Sequence, residues 1–284
     1  MNRLDQTGRL YMAIITISRE LAALGDETAN ELAKQLGYHL VDKYLLEEKI
    51  KSYGITGNNL RKYDEKKPSF FAAMSQERDD YLHFLKSAIL AEAGNGNTIF
   101  IGRGTWVILR NVPGVFSVFL VAPGEIRQER VKNYYQCDDK RALQIIGKSD
   151  HDREGFHRYF FGFQWKDPGN YHLSLNTGLM QSETCAEIIK AMLDKVITKS
   201  AGELNVPRIR ELTLAEAIKH SIVYEKEIPI YYLEVSVSDN RVFLYGVANV
   251  QTLIDSAIAC TRELVPDYAI QSEIQVIPEY DVMP

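Results

Sequence analysis

The residues best suited to chemistry begin with the stretch Ser18-Arg19-Glu20-Leu21-Ala22-Ala23-Leu24-Gly25-Asp26-Glu27-Thr28, which joins an apolar run to a helical pattern. A loop between a strand and a helix is where an α/β sheet binds phosphate, because free backbone N–H groups and the positive end of the helix dipole converge there. A full phosphate loop adds glycines for close backbone approach and a lysine that reaches the terminal phosphates. Here Gly25 alone stands in register. A second feature is Arg103, set between Gly102 and Gly104 at the end of another apolar run, the edge where ligands of open sheets collect. It either meets a ligand or is tied to a carboxylate of the fold. Arg127 and Arg130 are three apart and share a helix face, and Arg153 and Arg158 lie on the next helical stretch. Glu129, Asp150 and Asp152 interleave with them, so a salt-bridged surface competes with a catalytic one.

The elements that must position these residues follow from hydrophobic periodicity. Met12 to Ser18 reads as a strand, Glu27 to Leu36 as a helix stopped by Gly37, and Tyr38 to Val41 as a short strand ending at Asp42. Leu45 to about Ala93 is mostly helical, interrupted around Gly54 to Asn59 and ahead of Pro68. Thr98 to Ile101, Phe116 to Val121 and Tyr171 to Asn176 are further strands. A long helical, Arg-rich region covers Pro123 to about Tyr159, and Glu183 to Lys199 gives a closing helix. Strands separated by helices imply a parallel α/β sheet. Ser, Gly, Asn and Pro between Lys199 and Glu211 mark a linker. Beyond it a helix (Leu212 to Tyr224), a hairpin (Tyr231 to Val237 and Val242 to Val247, turning at Ser238-Asp239-Asn240), a helix (Gln251 to Leu264) and a strand (Ala269 to Ile277) follow.

Bulk properties narrow the function classes. At 284 residues, with 45% hydrophobic and 25% charged content, the chain is long for one compact domain, and two are expected. The net charge of -5 disfavours nucleic acid as the main partner. Cys137, Cys185 and Cys260 lie far apart and build neither a disulfide framework nor a CxxC metal spacing, which fits a reducing cytosol. Met1 to Tyr11 carries Asp5 and does not read as a signal peptide, and no window approaches the roughly 18 apolar residues of a spanning helix. A soluble, cytoplasmic protein is expected. The six histidines are scattered and suggest no zinc site.

IITISRE (Ile14 to Glu20 with Thr16 and Ser18 inside it), GYHLVDK (Gly37 to Lys43), IGRG (Ile101 to Gly104), VFLVAPGEIRQERV (Val118 to Val131) and the block from Ser149 to Thr177 occur in the order seen in the cytidylate kinase-like family, which the chain resembles. The resemblance implies a P-loop kinase fold over 12–199, a three-layer parallel sheet with a helical lid, and ATP-dependent phosphoryl transfer to a nucleoside monophosphate, with CMP the nominal acceptor. It implies that Ser18, Arg19, Glu20, Gly25 and Thr28 hold ATP and that Arg103 contacts the acceptor phosphate. Asp42 either orients substrate or caps the following helix. Arg127, Arg130, Arg153 and Arg158 would be lid arginines that neutralise the transferring phosphoryl. Mg²⁺ is implied by the reaction class, with no carboxylate assigned to it. The aromatic cluster Tyr159, Phe160, Phe161, Phe163 and Trp165 reads as core or lid packing rather than a base platform.

The departures matter equally. Ala22 and Leu24 replace glycines of the family, and Asp26 stands at the cation position, where it would repel a triphosphate by on the order of 1 kcal/mol or more. Either Arg19 or another basic residue supplies the missing cation, or the loop has decayed. Residues 200–209 form the linker, and 210–280 resemble a BON domain, a small α/β module, through the order of elements and the run Val235 to Ala248 with Gly246. That module implies a protein or ligand partner. An active nucleotide kinase and a catalytically impaired nucleotide-binding regulator acting through the C-terminal module both remain open, as does self-association.

Overall fold

The computed structural model describes residues 3–4, 10–11, 13–53 and 76–277, which fall into two compact units divided between Val206 and Pro207. The breaks expected around Gly54 to Asn59 and ahead of Pro68 lie outside the described residues.

In the first unit, β1 (Arg3–Leu4) and β2 (Leu10–Tyr11) form a small antiparallel pair. The main sheet contains β3 (Ile14–Arg19), β4 (His39–Val41), β5 (Thr98–Ile101), β6 (Val115–Val121) and β7 (Leu173–Asn176). All neighbours are parallel, in the order β4-β5-β3-β6-β7. The central strands are short unbroken apolar runs because both of their faces are buried. Ile15, Ile17, Ile99, Ile101, Val118 and Leu120 share one core with Ala29 and Leu32 of α1 (Gly25–Leu36) and with Ile189 and Leu193 of α7 (Ser182–Val196). Ile14 and Phe100, of opposite parity, are equally buried. Gly37 ends α1 with φ +67°, the left-handed stop that glycine supplies without steric cost.

Helix α2 (Lys43–Ser52) opens on Asp42, and α3 (Gln76–Gly94) leads into β5. After β5 the chain turns through Gly102, Arg103 and Gly104, all at positive φ, into the single turn α4 (Thr105–Ile108). A Cβ on Gly104 would lie 2.3 Å from the Phe161 ring, so this glycine admits that aromatic side chain. The helical region expected as one piece from Pro123 is two helices, α5 (Gly124–Tyr135) and α6 (Asp139–Phe161). Gln136 breaks it in a left-handed conformation (φ +50°), and Asp138 caps α6 by accepting from the Arg141 amide at 2.7 Å. A non-glycine in that conformation leaves no compositional mark. Val131, Ala142 and Ile146 of the pair pack against Leu21 and Ala22 of the loop after β3.

The residues expected as a linker, 200–209, are helical: α8 spans Lys199–His220 with Pro207 inside it. Asn205 is fully buried and donates to the Pro113 carbonyl at 2.7 Å, a tertiary contact that overrides the local composition. In the second unit, β8 (Tyr231–Ser238) and β9 (Arg241–Ala248) form a hairpin whose turn residues Asp239 and Asn240 both have positive φ, the mirror-image turn that matches strand twist. Helix α9 (Gln251–Leu264) leads to β10 (Ala269–Val276), which pairs with β9 in parallel. Ile218 of α8, Ile222 in the π-helical turn that follows it (Ser221–Glu225), and Ile254 and Ala257 of α9 share a core with the alternate residues Val242 and Leu244. Gly246 is required, since a Cβ there would lie 2.9 Å from the Tyr231 carbonyl. Among the described residues no helix is long and apolar enough to cross a membrane.

Candidate functional site

The carboxyl end of β3 delivers the loop Glu20 to Leu24 into the N-terminus of α1, where unpaired helix N–H groups face the ligand side of the sheet. Ala22 and Leu24, the residues in place of glycine, both hold left-handed backbone, at φ +61° and +55°. For an L-residue that conformation costs about 1–2 kcal/mol. The loop therefore keeps a glycine-type path without the glycines. Gly25 serves a different need from phosphate approach: a Cβ there would sit 2.3 Å from Cγ of Arg19, whose side chain lies across it.

A cavity of about 720 Å³ opens beside this loop, and its lining includes Arg19, Glu20, Gly25, Asp26, Arg130 and Arg153. Arg130 Nη1 donates to the Ala22 carbonyl at 3.0 Å and its Nη2 donates to the Thr177 carbonyl at 2.8 Å, so the loop is braced against the end of β7. Burial lowers the Arg130 pKa from its ordinary value, with Glu27 opposing. Arg153 donates to the Ser149 hydroxyl one turn back. Arg19 pairs with Asp26 at 3.3 Å, and Asp26 remains 68% exposed. Asp26 and Glu27 in the first turn of α1 complement the helix dipole and so compete with an incoming phosphate for it.

Arg127, on the same helix as Arg130, has another role. It is buried, bonds both oxygens of Asp150 at 2.7 and 3.0 Å, pairs with Glu20 at 3.2 Å, and donates from Nε to the Leu21 carbonyl at 2.8 Å. Lys166 completes the network, 3.1 Å from Glu20 and 2.9 Å from Asp150. Burial raises the Asp150 pKa, but the bonds from Arg127 and Lys166 outweigh it and leave the carboxyl below its ordinary 3.8. For Lys166, burial is likewise outweighed by Asp150 and Glu20, and its pKa is raised.

The remaining expected residues lie apart from the cavity lining. Ser18 is buried at the end of β3. Thr28 is fully buried behind the loop, and its hydroxyl has no hydrogen-bond partner among the described residues. Asp42 caps α2, accepting from the Leu45 amide at 2.9 Å. Arg103 is 2% exposed at φ +56° and pairs with Glu47 of α2, the tie to a fold carboxylate that competes with ligand contact. Arg158 is 71% exposed and pairs only locally with Glu154, one turn back, among the contacts described. Exposed pairs of this kind contribute little, so Arg158→Ala is expected to shift stability by less than about 0.5 kcal/mol and to leave ligand affinity unchanged, as read by urea unfolding and calorimetry. The aromatic cluster is packing: Trp165 is buried with Trp106, Phe119 and Tyr171, the last two stacked at 4.9 Å.

Sequence reasoning missed Lys166, which lies within the block from Ser149 to Thr177, and it missed Tyr134 and Tyr135, which also line the cavity. The signal for Tyr134 was its spacing of four from Arg130 on one helix.

No curated protein sequence matches the chain. Among solved structures, an uncharacterized protein from Eubacterium ventriosum is 22% identical, with a TM-score of 0.51 over 64% of this chain and 98% of that one, and shares the fold. Shikimate kinase from Bacteroides thetaiotaomicron (13% identity, TM-score 0.41, 64% of this chain and 99% of that one) and a gluconokinase from Sinorhizobium meliloti (14%, 0.41, 66% and 95%) also match. Residues 14–179, more than half of the 284, match the cytidylate kinase-like family, and the chain therefore belongs to that family.

Proposed function

We propose that the chain binds ATP at the loop between β3 and α1 and transfers its terminal phosphoryl group to a nucleoside monophosphate, with CMP the nominal acceptor. The observation that carries this reading is the left-handed backbone at Ala22 and Leu24. Strained conformations at non-glycine residues persist where the surroundings impose them and cluster at functional sites; a loop free of that demand would relax. The loop N–H groups receive the phosphates, and Arg130 and Arg153, which line the same cavity, neutralise charge on the transferring group. Arg103, at the end of β5, is the residue for the acceptor phosphate.

No group of three or more His, Cys, Asp or Glu side chains among the described residues could hold a metal ion alone. Mg²⁺ enters such sites on substrate phosphates and water with one or two carboxylates, and Glu27 at the cavity fits that requirement. When bound, the ion screens phosphate charge.

A second reading, a nucleotide-responsive protein without turnover, is favoured by the Arg19–Asp26 pair, which places a carboxylate at the cation position and neutralises the nearest loop cation. In either case the C-terminal α/β unit is a binding or regulatory module that we assign as BON-like on its element order and Gly246. The free cysteines suit a cytoplasmic setting.

Calorimetric titration with Mg·ATP and with CMP, followed by a coupled assay of ADP release, separates the readings. Micromolar ATP binding with CMP-dependent ADP release is the expected result. ATP binding without turnover against any monophosphate, or CMP binding without ATP binding, selects the regulator, and silence toward both ligands removes both readings.

A further inference from the structure

The lining of the cavity beside the phosphate loop combines two chemically different groups. Arg19 and Arg130 accompany backbone N–H groups at the start of α1. Tyr134 and Tyr135, the last two residues of α5, line the same cavity. Arg130, Asn133 and Tyr134 are spaced i, i+3 and i+4 and lie on one helix face. One turn, roughly 6 Å along the axis, separates Arg130 from Tyr134. The face that holds a guanidinium on the loop carbonyl of Ala22 therefore presents an aromatic ring one turn further out.

The fold has no visible use for these rings. Tyr134 is 81% exposed and Tyr135 50%, and neither joins any of the buried clusters among the described residues. They contact each other edge to face, with centroids 4.9 Å apart and planes at 73°, which leaves ring surface open. Aromatic rings are among the largest apolar surfaces a chain carries, and each gains by covering that surface. A ligand suited to this cavity is anionic at one end and flat and aromatic at the other, which is the build of a nucleotide.

We propose that Tyr134 and Tyr135 form the shelf on which the base of the loop-bound nucleotide stacks, an inference that rests on the nucleotide-binding reading above. Stacking accepts any base because every base has a π face, so the shelf holds the donor without selecting among ATP, GTP and other triphosphates. A sugar phosphate would offer the rings hydroxyls and no comparable face.

The test compares ATP with inorganic tripolyphosphate, each with Mg²⁺, by calorimetry on the full chain. The parent is expected to bind ATP more tightly than tripolyphosphate. The double variant Tyr134→Ala/Tyr135→Ala is expected to weaken ATP by between about fivefold and about a hundredfold and to leave tripolyphosphate unchanged. Tyr134→Phe/Tyr135→Phe, which keeps both rings, should bind ATP like the parent. Both side chains are exposed, and circular dichroism of the variants verifies that the fold is retained. Equal loss for the two probes, no loss for ATP, or equal parent affinity for both probes overturns the shelf alone. A parent that binds neither probe overturns the nucleotide reading and the shelf with it.

Discussion

The Asp26→Lys variant is expected to bind Mg·ATP at least about tenfold more tightly than the parent, with the gain shrinking as salt is raised. The cavity lining carries Arg19, Arg130 and Arg153 against Glu20, Asp26 and Glu27, so its formal charge is balanced where a triphosphate must enter. Exchanging one carboxylate for an ammonium moves that balance by two charges and frees Arg19 from its 3.3 Å partner. Two unit charges 4 Å apart interact by about 1 kcal/mol in water and about 4 kcal/mol near a protein surface. Because Asp26 is 68% exposed, the smaller figure governs, and applied to a change of two charges it gives about 2 kcal/mol, above the roughly 1.4 kcal/mol that makes a factor of ten. The measurement is the ATP dissociation constant at low and moderate ionic strength. An unchanged constant would show that the triphosphate does not lie beside the first turn of α1, and the loop would lose its place as the site.

The Arg127→Ala variant should lose about 3–5 kcal/mol of stability, the cost of stripping one partner from a buried ion network. Among the described contacts, Asp150 and Glu20 would then share Lys166 as their one cation, with the Ala122 amide still on Glu20. This is a large part of the 5–15 kcal/mol that typically holds a domain folded, and urea unfolding reads it directly. The pH dependence identifies the cause. In the parent, the Asp150 carboxyl is held below its ordinary 3.8, so its contribution is present above that pH and is lost as pH falls through the folded value. Removing Arg127 leaves burial with less opposition and raises that folded value. The gap between parent and variant should therefore be widest near neutral pH and should narrow below about pH 4. A gap independent of pH would assign the loss to packing of the arginine stem instead.

These two residues show what the sequence could and could not reveal. The strand Thr98–Ile101 and the helix Gln251–Leu264 were legible to the residue, because an unbroken apolar run and a 3.6-residue period are local properties. The helix over 199–211 was not, since Asn205 is held by Pro113, 92 residues earlier. At the site, spacing places Arg127 and Arg130 on one face and cannot separate them. What separates them is Glu20 and Asp150, brought from a different loop and a different helix to bury one and leave the other at the cavity. The missing glycines were plain in the sequence, while the retained backbone path at Ala22 and Leu24 is a product of the packing around the loop.

The strand order carries a consequence for how the protein is made. β3 lies in the middle of its sheet, yet Ala13 is tied to Asn97, 84 residues away, and Glu20 to Ala122, 102 residues away. Parallel neighbours of such separation form slowly. At about 5–20 residues per second of synthesis, the segment that carries the loop waits roughly 5–20 s for both neighbours to emerge from the ribosome. Throughout that interval the apolar run Ile14 to Ile17 is a nascent segment without its sheet, and a nucleotide can offer it no help, because the pocket that would hold the ligand does not yet exist.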